Sequence, residues 1–125
     1  MRLKEKISVI TGAASGFGKG IVKKFSEEGA KIIMVDINKD LLEKVSKDLN
    51  QDFFYTDVAS SSSMKKLSEY VLKKYGTIDI MVNNAGITHL PKPLEEVDEE
   101  EFDKIFAVNS KSVFLCGKFF VPHMK

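Results

Sequence analysis

The sequence has little that would suggest a disulfide-stabilised or membrane-spanning protein. Its single cysteine, Cys116, excludes an intrachain disulfide, and the apolar residues around it predict an inert, buried thiol. No stretch approaches the roughly 18 uninterrupted apolar residues of a membrane-spanning helix. The short apolar-leaning run before Thr11 is too brief for the core of a signal peptide. We therefore predict a cytoplasmic protein without a membrane partner.

The sequence also lacks an excess of charge of either sign. Its 19 basic and 18 acidic side chains give a formal net charge of +1, which offers no support for a nucleic-acid partner. The two histidines, His89 and His123, have no clustered ligands around them, so no metal site is predicted. A length of 125 residues suits one compact domain, and we predict a single domain over residues 1–125.

Short runs rich in β-branched and aromatic residues alternate with segments whose apolar residues recur at helical spacing. This alternation predicts an α/β fold of the Rossmann type, a doubly wound parallel sheet with helices on both faces. Right-handed crossovers between neighbouring strands give the expected strand order 3-2-1-4. The predicted strands are residues 7–10, 31–36, 53–56 and 78–82.

Helix boundaries carry their own signals. Serines 60–63 supply N-cap candidates for the helix that carries Met64, Leu67 and Val71, and the left-handed preference of glycine at Gly76 ends it. Asp98 as N-cap and Glu101 three residues later form a capping box that begins the last helix. Pro122 is expected to end or kink that helix.

A glycine-rich loop, Thr-Gly-x-x-x-Gly-x-Gly, joins the first strand to the first helix. Gly12 would permit a tight turn, Gly16 would let backbone approach a pyrophosphate, and Gly18 would allow close packing of helix on strand. The helix N-terminus behind the loop favours an anion without a lysine or arginine. An ordinary glycine-rich turn is the alternative. The predicted binding residues are Thr11, Gly12, Ser15, Gly16, Phe17 and Gly18.

Asp36 falls at the end of the second strand, about 20 residues beyond the glycine loop, where an acid can hydrogen-bond a ribose diol. A carboxylate there would repel a 2′-phosphate, and neither the loop nor Ile37 offers a cation to hold one. NAD is therefore predicted in preference to NADP. The alternative for Asp36 is an acid that leads into the next helix near Asn38.

Directly after the fourth predicted strand stands a second motif, Asn83-Asn-Ala-Gly86. With the loop at residues 11–18 it gives the whole chain a resemblance to the cofactor-binding half of the short-chain dehydrogenase/reductase family. The resemblance implies an adenine-side role for Asp57 and Val58. It also implies that the second motif steadies the sheet and borders the adenosine and ribose, through Asn83, Ala85 and Gly86. A helix-capping acid is the alternative for Asp57.

Asn109 stands out because Phe102, Ile105, Phe106 and Val113 place it on an apolar helical stripe, where an amide needs partners. A core amide bonded to local backbone is one interpretation. The family resemblance implies instead that Asn109 supports the hydrogen-bond network that serves proton transfer.

The resemblance implies hydride transfer between NAD(H) and an alcohol or ketone, with a serine, a tyrosine and a lysine that follow the next strand. Those three have no matching positions here, so we predict a chain truncated before the fifth strand and inactive alone. Tyr70 and Lys74 fit the Tyr-x-x-x-Lys spacing, yet they precede the fourth strand and are interpreted as a coincidence. A non-enzymatic nucleotide-binding module, or a part completed by a partner chain, is the alternative function. A methyltransferase fits only the first motif.

Truncation would leave residues 78–82 as an apolar sheet edge and uncover Phe114, Phe119 or Phe120. The resemblance also implies a dimer contact through the fourth helix. A homo-oligomer is therefore predicted. Residues 88–93 are expected to border the substrate opening, since loops at the carboxyl ends of strands usually do.

Overall fold

A computed structural model describes residues 1–86 and 93–125. These residues contain a four-stranded parallel sheet in the order β3-β2-β1-β4, which confirms the predicted order. β1 pairs with β2, where Ile7 lies opposite Lys31, and with β4, where Ser8 lies opposite Ile80. It therefore lies between these two strands. The strands are β1 (Ile7–Thr11), β2 (Lys31–Asp36), β3 (Asp52–Tyr55) and β4 (Ile80–Val82).

Five α-helices, a 3₁₀ turn and a π-helical turn complete the described fold. The predicted caps form: the Ser60 hydroxyl accepts the Ser63 N–H, and the Asp98 carboxylate accepts the Glu101 N–H at 2.7 Å. The helices are α1 (Gly16–Glu27), α2 (Lys39–Leu49), α3 (Ser61–Tyr75), α4 (Glu99–Phe106) and α5 (Ser112–Met124), with the 3₁₀ turn at Leu94–Glu96 and the π turn at Ala107–Lys111.

The sheet separates two layers of core. Ile7 and Val9 of β1 point toward the layer that contains residues of α3 and α5, whereas Ile10 points toward the layer that contains residues of α1 and α2. This alternation is the period-two pattern of a strand buried on both faces. Helices on both sides and parallel strands together confirm the doubly wound arrangement.

Several predicted boundaries are wrong by one or two residues. The first strand extends to Thr11, the third is shifted by one residue to Asp52–Tyr55, and the fourth begins at Ile80 instead of residue 78. Ile78 is still buried, although it precedes the strand. Pro122 lies inside α5, and the helix continues past it to Met124.

The predicted last helix is helical throughout residues 99–124, but a π turn at Ala107–Lys111 interrupts its α-helical register between α4 and α5. A π turn inserts an extra residue, so the helical face changes across it. Phe102, Phe106, Asn109 and Val113 are all exposed instead of facing a core. The buried residues of α5 are Ser112, Leu115, Cys116 and Phe120.

The sequence predicted that Phe114, Phe119 or Phe120 would be uncovered, and one of these three residues of α5 is exposed. Phe114 is exposed, but Phe119 is half-buried, and Phe120 is completely buried among residues of β1, β2 and α3. Cys116 is buried too, and burial raises the pKa of its thiol, as expected for an inert cysteine.

None of the helices in residues 1–86 and 93–125 is long and apolar enough to cross a membrane. In the same described residues, no group of three or more histidine, cysteine, aspartate or glutamate side chains is arranged to hold a metal ion. His123 is exposed near the C-terminal end. His89 lies outside the described residues.

Candidate functional site

A cleft of about 470 Å³ opens at the carboxyl ends of the strands. It unites three separate stretches of sequence that follow β1, β2 and β3, together with the segment after β4 and one face of α4. Parallel sheets bind ligands at this edge because the connecting loops converge there. The lining residues are Gly12, Ser15, Phe17, Asp36, Ile37, Thr56, Asp57, Val58, Asn84, Ala85, Gly86, Lys104 and Val108.

Each glycine of the glycine loop has a distinct geometry. Gly12 and Gly16 have φ angles of +62° and +57°, a conformation that favours glycine. A Cβ on Gly18 would lie only 1.9 Å from the Gly12 carbonyl oxygen, so α1 can pack on the loop only without a side chain there. A Cβ on Gly16 would meet no described atom within 4 Å. Gly16 therefore presents bare backbone to open space.

Thr11 connects the glycine loop to the segment that follows β4. Its hydroxyl accepts the N–H groups of Asn84 and Ala85, both at 3.0 Å, and lies 3.4 Å from the Val82 carbonyl. The Asn84 side-chain amide donates to the Gly12 carbonyl at 3.4 Å. Thr11 is completely buried, so its side chain positions the two motifs relative to each other and does not face the cleft.

The Asp36 carboxylate is oriented by two backbone donors. Its Oδ2 accepts the Ala14 N–H at 3.1 Å, and its Oδ1 accepts the Asn38 N–H at 3.0 Å. The first bond joins the end of β2 to the glycine loop. Each carboxylate oxygen keeps acceptor capacity toward the cleft. The alternative assigned to Asp36, an acid near the start of α2, is also part of its role, since it binds the backbone of Asn38.

At the end of β3, Asp57 lies on the same wall of the cleft as Val58. The Asp57 Oδ1 accepts the Ala59 N–H at 2.9 Å, and the Asp57 N–H donates to Ser63 Oγ at 3.0 Å. These bonds make Asp57 part of the turn that leads into α3, but the residue that caps the helix is Ser60, so the alternative of a helix-capping acid is wrong. Its side chain lines the cleft as well.

Asn109 lies in the π turn between α4 and α5, beside the segment that follows β4. A Cβ on Gly86 would lie 3.4 Å from Asn109 Oδ1, so the amide closely approaches the Gly86 backbone. π turns occur frequently at functional sites because they redirect side chains out of the helical register. The turn thus places Asn109 next to the second motif, although it is exposed and not in a core.

The structure brings together most of the predicted site but not all of it. Five predicted site residues do not line the cleft: Thr11, Gly16, Gly18, Asn83 and Asn109. The segment at residues 88–93 lies mostly outside the described residues. Sequence reasoning missed four lining residues. One of them, Asn84, could have been found from the sequence because it belongs to the second motif. The other three are a threonine, a lysine and a valine in ordinary strand and helix patterns, which gave no signal. The four are Thr56, Asn84, Lys104 and Val108.

Tyr70 and Lys74 lie far from this cleft, at the amino end of the sheet. The Tyr70 hydroxyl donates to Asp52, the first residue of β3, and Lys74 Nζ lies 3.0 Å from Asp52 Oδ2. Burial and Asp52 raise the pKa of Tyr70, whereas a tyrosine that acts as a base needs a lowered pKa. Position and pKa direction both agree with the interpretation of this spacing as a coincidence.

Comparison with known proteins identifies the family. The sequence profile described as short chain dehydrogenase matches residues 6–125. The chain belongs to the short-chain dehydrogenase family. It is 40% identical to zerumbone synthase of Zingiber zerumbet, covering 100% of this chain and 50% of that protein. It is also 40% identical to a 3-oxoacyl-[acyl-carrier-protein] reductase of Thermotoga maritima, covering 99% and 52%.

Solved structures of the family superpose closely on this chain. A 3-ketoacyl-(acyl-carrier-protein) reductase from Brucella melitensis, complexed with NADH, has a TM-score of 0.93 and 40% identity over 97% of this chain and 50% of that one. A short-chain dehydrogenase/reductase from Burkholderia phymatum, in complex with NAD, has a TM-score of 0.93 and 27% identity over 99% and 46%. The chain spans about half the length of the relatives that it matches.

The cleft and the glycine loop beside it fit a dinucleotide. The backbone at Gly16 is uncovered beside the N-terminus of α1, where a phosphate accepts N–H groups. Asp36 offers carboxylate oxygens that are already oriented, as hydroxyl donors require. Val58, Ala85 and Val108 supply apolar wall for a base.

Proposed function

We propose that this chain is the NAD(H)-binding part of an oxidoreductase that transfers hydride between NAD(H) and an alcohol or ketone. The observation that carries the proposal is the Asp36 carboxylate, which two backbone N–H groups orient at the edge of a cleft lined by the glycine loop. The neighbouring family structures with NADH and with NAD support the same cofactor.

In this proposal the predicted site residues divide into three groups. Gly12, Gly16 and Gly18 shape the backbone that faces the pyrophosphate, with Thr11, Ser15 and Phe17 around it. Asp36 accepts hydrogen bonds from the ribose hydroxyls of the adenosine, beside Ile37. The remaining residues border the adenine and ribose or support the adjoining site: Asp57, Val58, Asn83, Ala85, Gly86 and Asn109.

NAD(H) supplies the hydride or accepts it, and the protein's residues bind and orient the cofactor. The preference for NAD over NADP follows from Asp36, because a second anion at the ribose would be repelled by the carboxylate. Ile37, the next lining residue, offers no compensating cation.

The chain by itself is expected to bind cofactor without turning over substrate. The family resemblance assigns proton transfer to a serine, a tyrosine and a lysine, and no residue of this sequence occupies their positions. Tyr70 and Lys74 lie away from the cleft. The Tyr70 hydroxyl donates to Asp52, and Lys74 forms an ion pair with the same carboxylate. NADH-dependent turnover by the purified chain, verified by intact mass, would contradict this expectation.

Replacement of Asp36 by alanine tests the cofactor assignment. The variant loses hydrogen bonds to a charged acceptor, so its affinity for NADH should fall by about tenfold or more. Its affinity for NADPH should fall less or rise, because the repelling charge is gone. Titration calorimetry with both cofactors gives the two constants. Asp40→Ala is the matched control, since Asp40 lies in the first turn of α2 and does not line the cleft.

Unchanged affinity of Asp36→Ala for both NADH and NADPH would refute the role of Asp36. Failure of the unmodified chain to bind NADH would refute the proposed function itself.

We also propose that the chain self-associates. Phe102, Phe106 and Phe114 are 61%, 57% and 64% exposed, and Phe102 stacks on Phe106 with ring centroids 6.1 Å apart. Exposed apolar rings on adjoining helices favour a protein contact. Light scattering across micromolar concentrations should show a species larger than the monomer, and Phe106→Glu should shift it toward the monomer. A monomer at every concentration would contradict the proposal. The cytoplasmic location stays a prediction.

A further inference from the structure

The cleft contains more negative than positive charge. Among its lining residues in the described part of the chain, Asp36 and Asp57 are acids and Lys104 is the one cation. Both carboxylates bind backbone N–H groups, and neither forms an ion pair with a lysine or arginine of residues 1–86 and 93–125. A ligand that brings a diphosphate into this cleft therefore meets two like charges.

Lys104 lines the cleft from the last turn of α4. It precedes Val108 by one helical turn, and Val108 packs on the core near Ala85, which lines the same cleft. The side chain of Lys104 is exposed, so its four-carbon stem is free to extend over the opening.

The acidic residues of its own helix do not hold the Lys104 ammonium. The first turn of α4 carries Glu99, Glu100 and Glu101, and Glu100 is spaced four residues before Lys104, as in a typical helical ion pair. Within the residues that the structure describes, no carboxylate lies within ion-pair distance of the Lys104 ammonium. Lys104 is thus a cation beside a cleft, without a counter-ion among residues 1–86 and 93–125.

We infer that Lys104 binds the diphosphate of the cofactor, and so compensates for the two carboxylates of the cleft. The glycine loop and the N-terminus of α1 offer neutral N–H donors and a partial charge, whereas Lys104 adds a full charge from α4. Recognition of the phosphates then depends on α4 as well as on the glycine loop and α1. This inference rests on the proposed function, because it concerns the same ligand.

Lys104→Gln tests the inference, with NADH, ADP and adenosine as probes in titration calorimetry. Loss of the ammonium should weaken the binding of NADH and of ADP by about three- to tenfold and reduce the dependence of both affinities on salt. Adenosine, which has no phosphate, should bind both proteins equally. Lys104→Arg should retain the affinity for NADH. Lys66→Gln is the matched control, because it removes the same charge from an exposed position on α3 outside the cleft.

Two results would overturn the inference and leave the proposed function intact. One is an unchanged affinity of Lys104→Gln for NADH and ADP. The other is an equal loss for adenosine and ADP, which would place Lys104 on the base instead of the phosphates. Absence of NADH and ADP binding by the unmodified chain would overturn both proposals together.

Discussion

Each end of the sheet has an aspartate at the end of a strand, but the two carboxylates bind different partners. At the amino end, the Asp52 carboxylate accepts hydrogen bonds from Tyr70, Lys74 and Tyr75 at 2.7 to 3.0 Å. At the carboxyl end, the bonds that Asp36 accepts from the described residues come from backbone N–H groups, and its oxygens keep capacity for a ligand. An acid at the end of a strand can therefore serve stability or binding, and the difference lies in which groups surround it.

The carboxyl end depends on close backbone contact, and Gly18→Ala should have the largest effect of the changes considered. Its Cβ would fall 1.9 Å from the Gly12 carbonyl oxygen, so α1 or the loop must move. We expect a loss of about 2–4 kcal/mol in the free energy of unfolding, and NADH binding at least tenfold weaker. Urea unfolding and titration calorimetry measure the two effects.

Gly20→Ala is the matched control, because a Cβ on Gly20 meets no described atom within 4 Å. Gly20 lies in the interior of α1, where alanine is preferred by up to about 1 kcal/mol. A Gly18→Ala variant as stable as Gly20→Ala would contradict the close packing at the loop.

Much of the carboxyl end could be predicted from the sequence because its determinants are local. The glycines with positive φ and the acid at the end of a strand can be recognised from residue type and spacing along the sequence. Lys104 has no such signal. A lysine among acids on an amphipathic helix looks solvated until the tertiary fold places it beside a cleft.

The strand order could likewise be predicted, whereas the phase of the last helices could not. An uninterrupted helical repeat placed Phe102, Phe106 and Asn109 toward a core. The π turn shifts that repeat by one residue, and apolar spacing alone does not reveal the insertion. Beyond the turn, Phe120 lies in the core.

Asp52→Asn should weaken the hydrogen-bonded cluster at the amino end of the sheet and leave the cleft at the carboxyl end unchanged. We expect a loss of about 1–2 kcal/mol in the free energy of unfolding at neutral pH, with NADH affinity unaltered. The value is modest because Lys74 is half-exposed and its ion pair is screened by solvent. Asp48→Asn, an exposed acid on α2, is the control and should change neither quantity.

The pH dependence gives a sharper test of the Asp52 cluster. Burial opposes ionisation of Asp52, but hydrogen bonds from Tyr75, Lys74 and Tyr70 hold its pKa below the ordinary value of 3.8. Its contribution to stability is therefore fully present above about pH 4 and is lost as the pH falls through the lowered pKa. Asp52→Asn should lack this part of the acid destabilisation. Equal acid sensitivity of both proteins in urea titrations would contradict the assignment.

On the alkaline side, burial and the hydrogen bond to Asp52 raise the pKa of Tyr75 from 10.0 to about 12. A raised pKa means that the folded state holds the proton more tightly. The contribution of Tyr75 is thus complete below pH 10 and is lost as the pH rises toward about 12. Stability of the unmodified chain should fall more steeply over this interval than that of Tyr75→Phe.

Tyr70→Phe should have the smallest effect and separates the two ends most directly. The variant loses one O–H donor to Asp52 but keeps the ring that stacks on Phe54, with centroids 4.6 Å apart. We expect a loss of about 0.5–1 kcal/mol in the free energy of unfolding and no change in NADH affinity. Tyr55→Phe is the control, since Tyr55 is exposed and outside the Asp52 cluster. Weaker NADH binding by Tyr70→Phe, with unchanged binding by Tyr55→Phe, would mean that Tyr70 affects the cleft. The division of the sheet into a structural amino end and a binding carboxyl end would then be wrong.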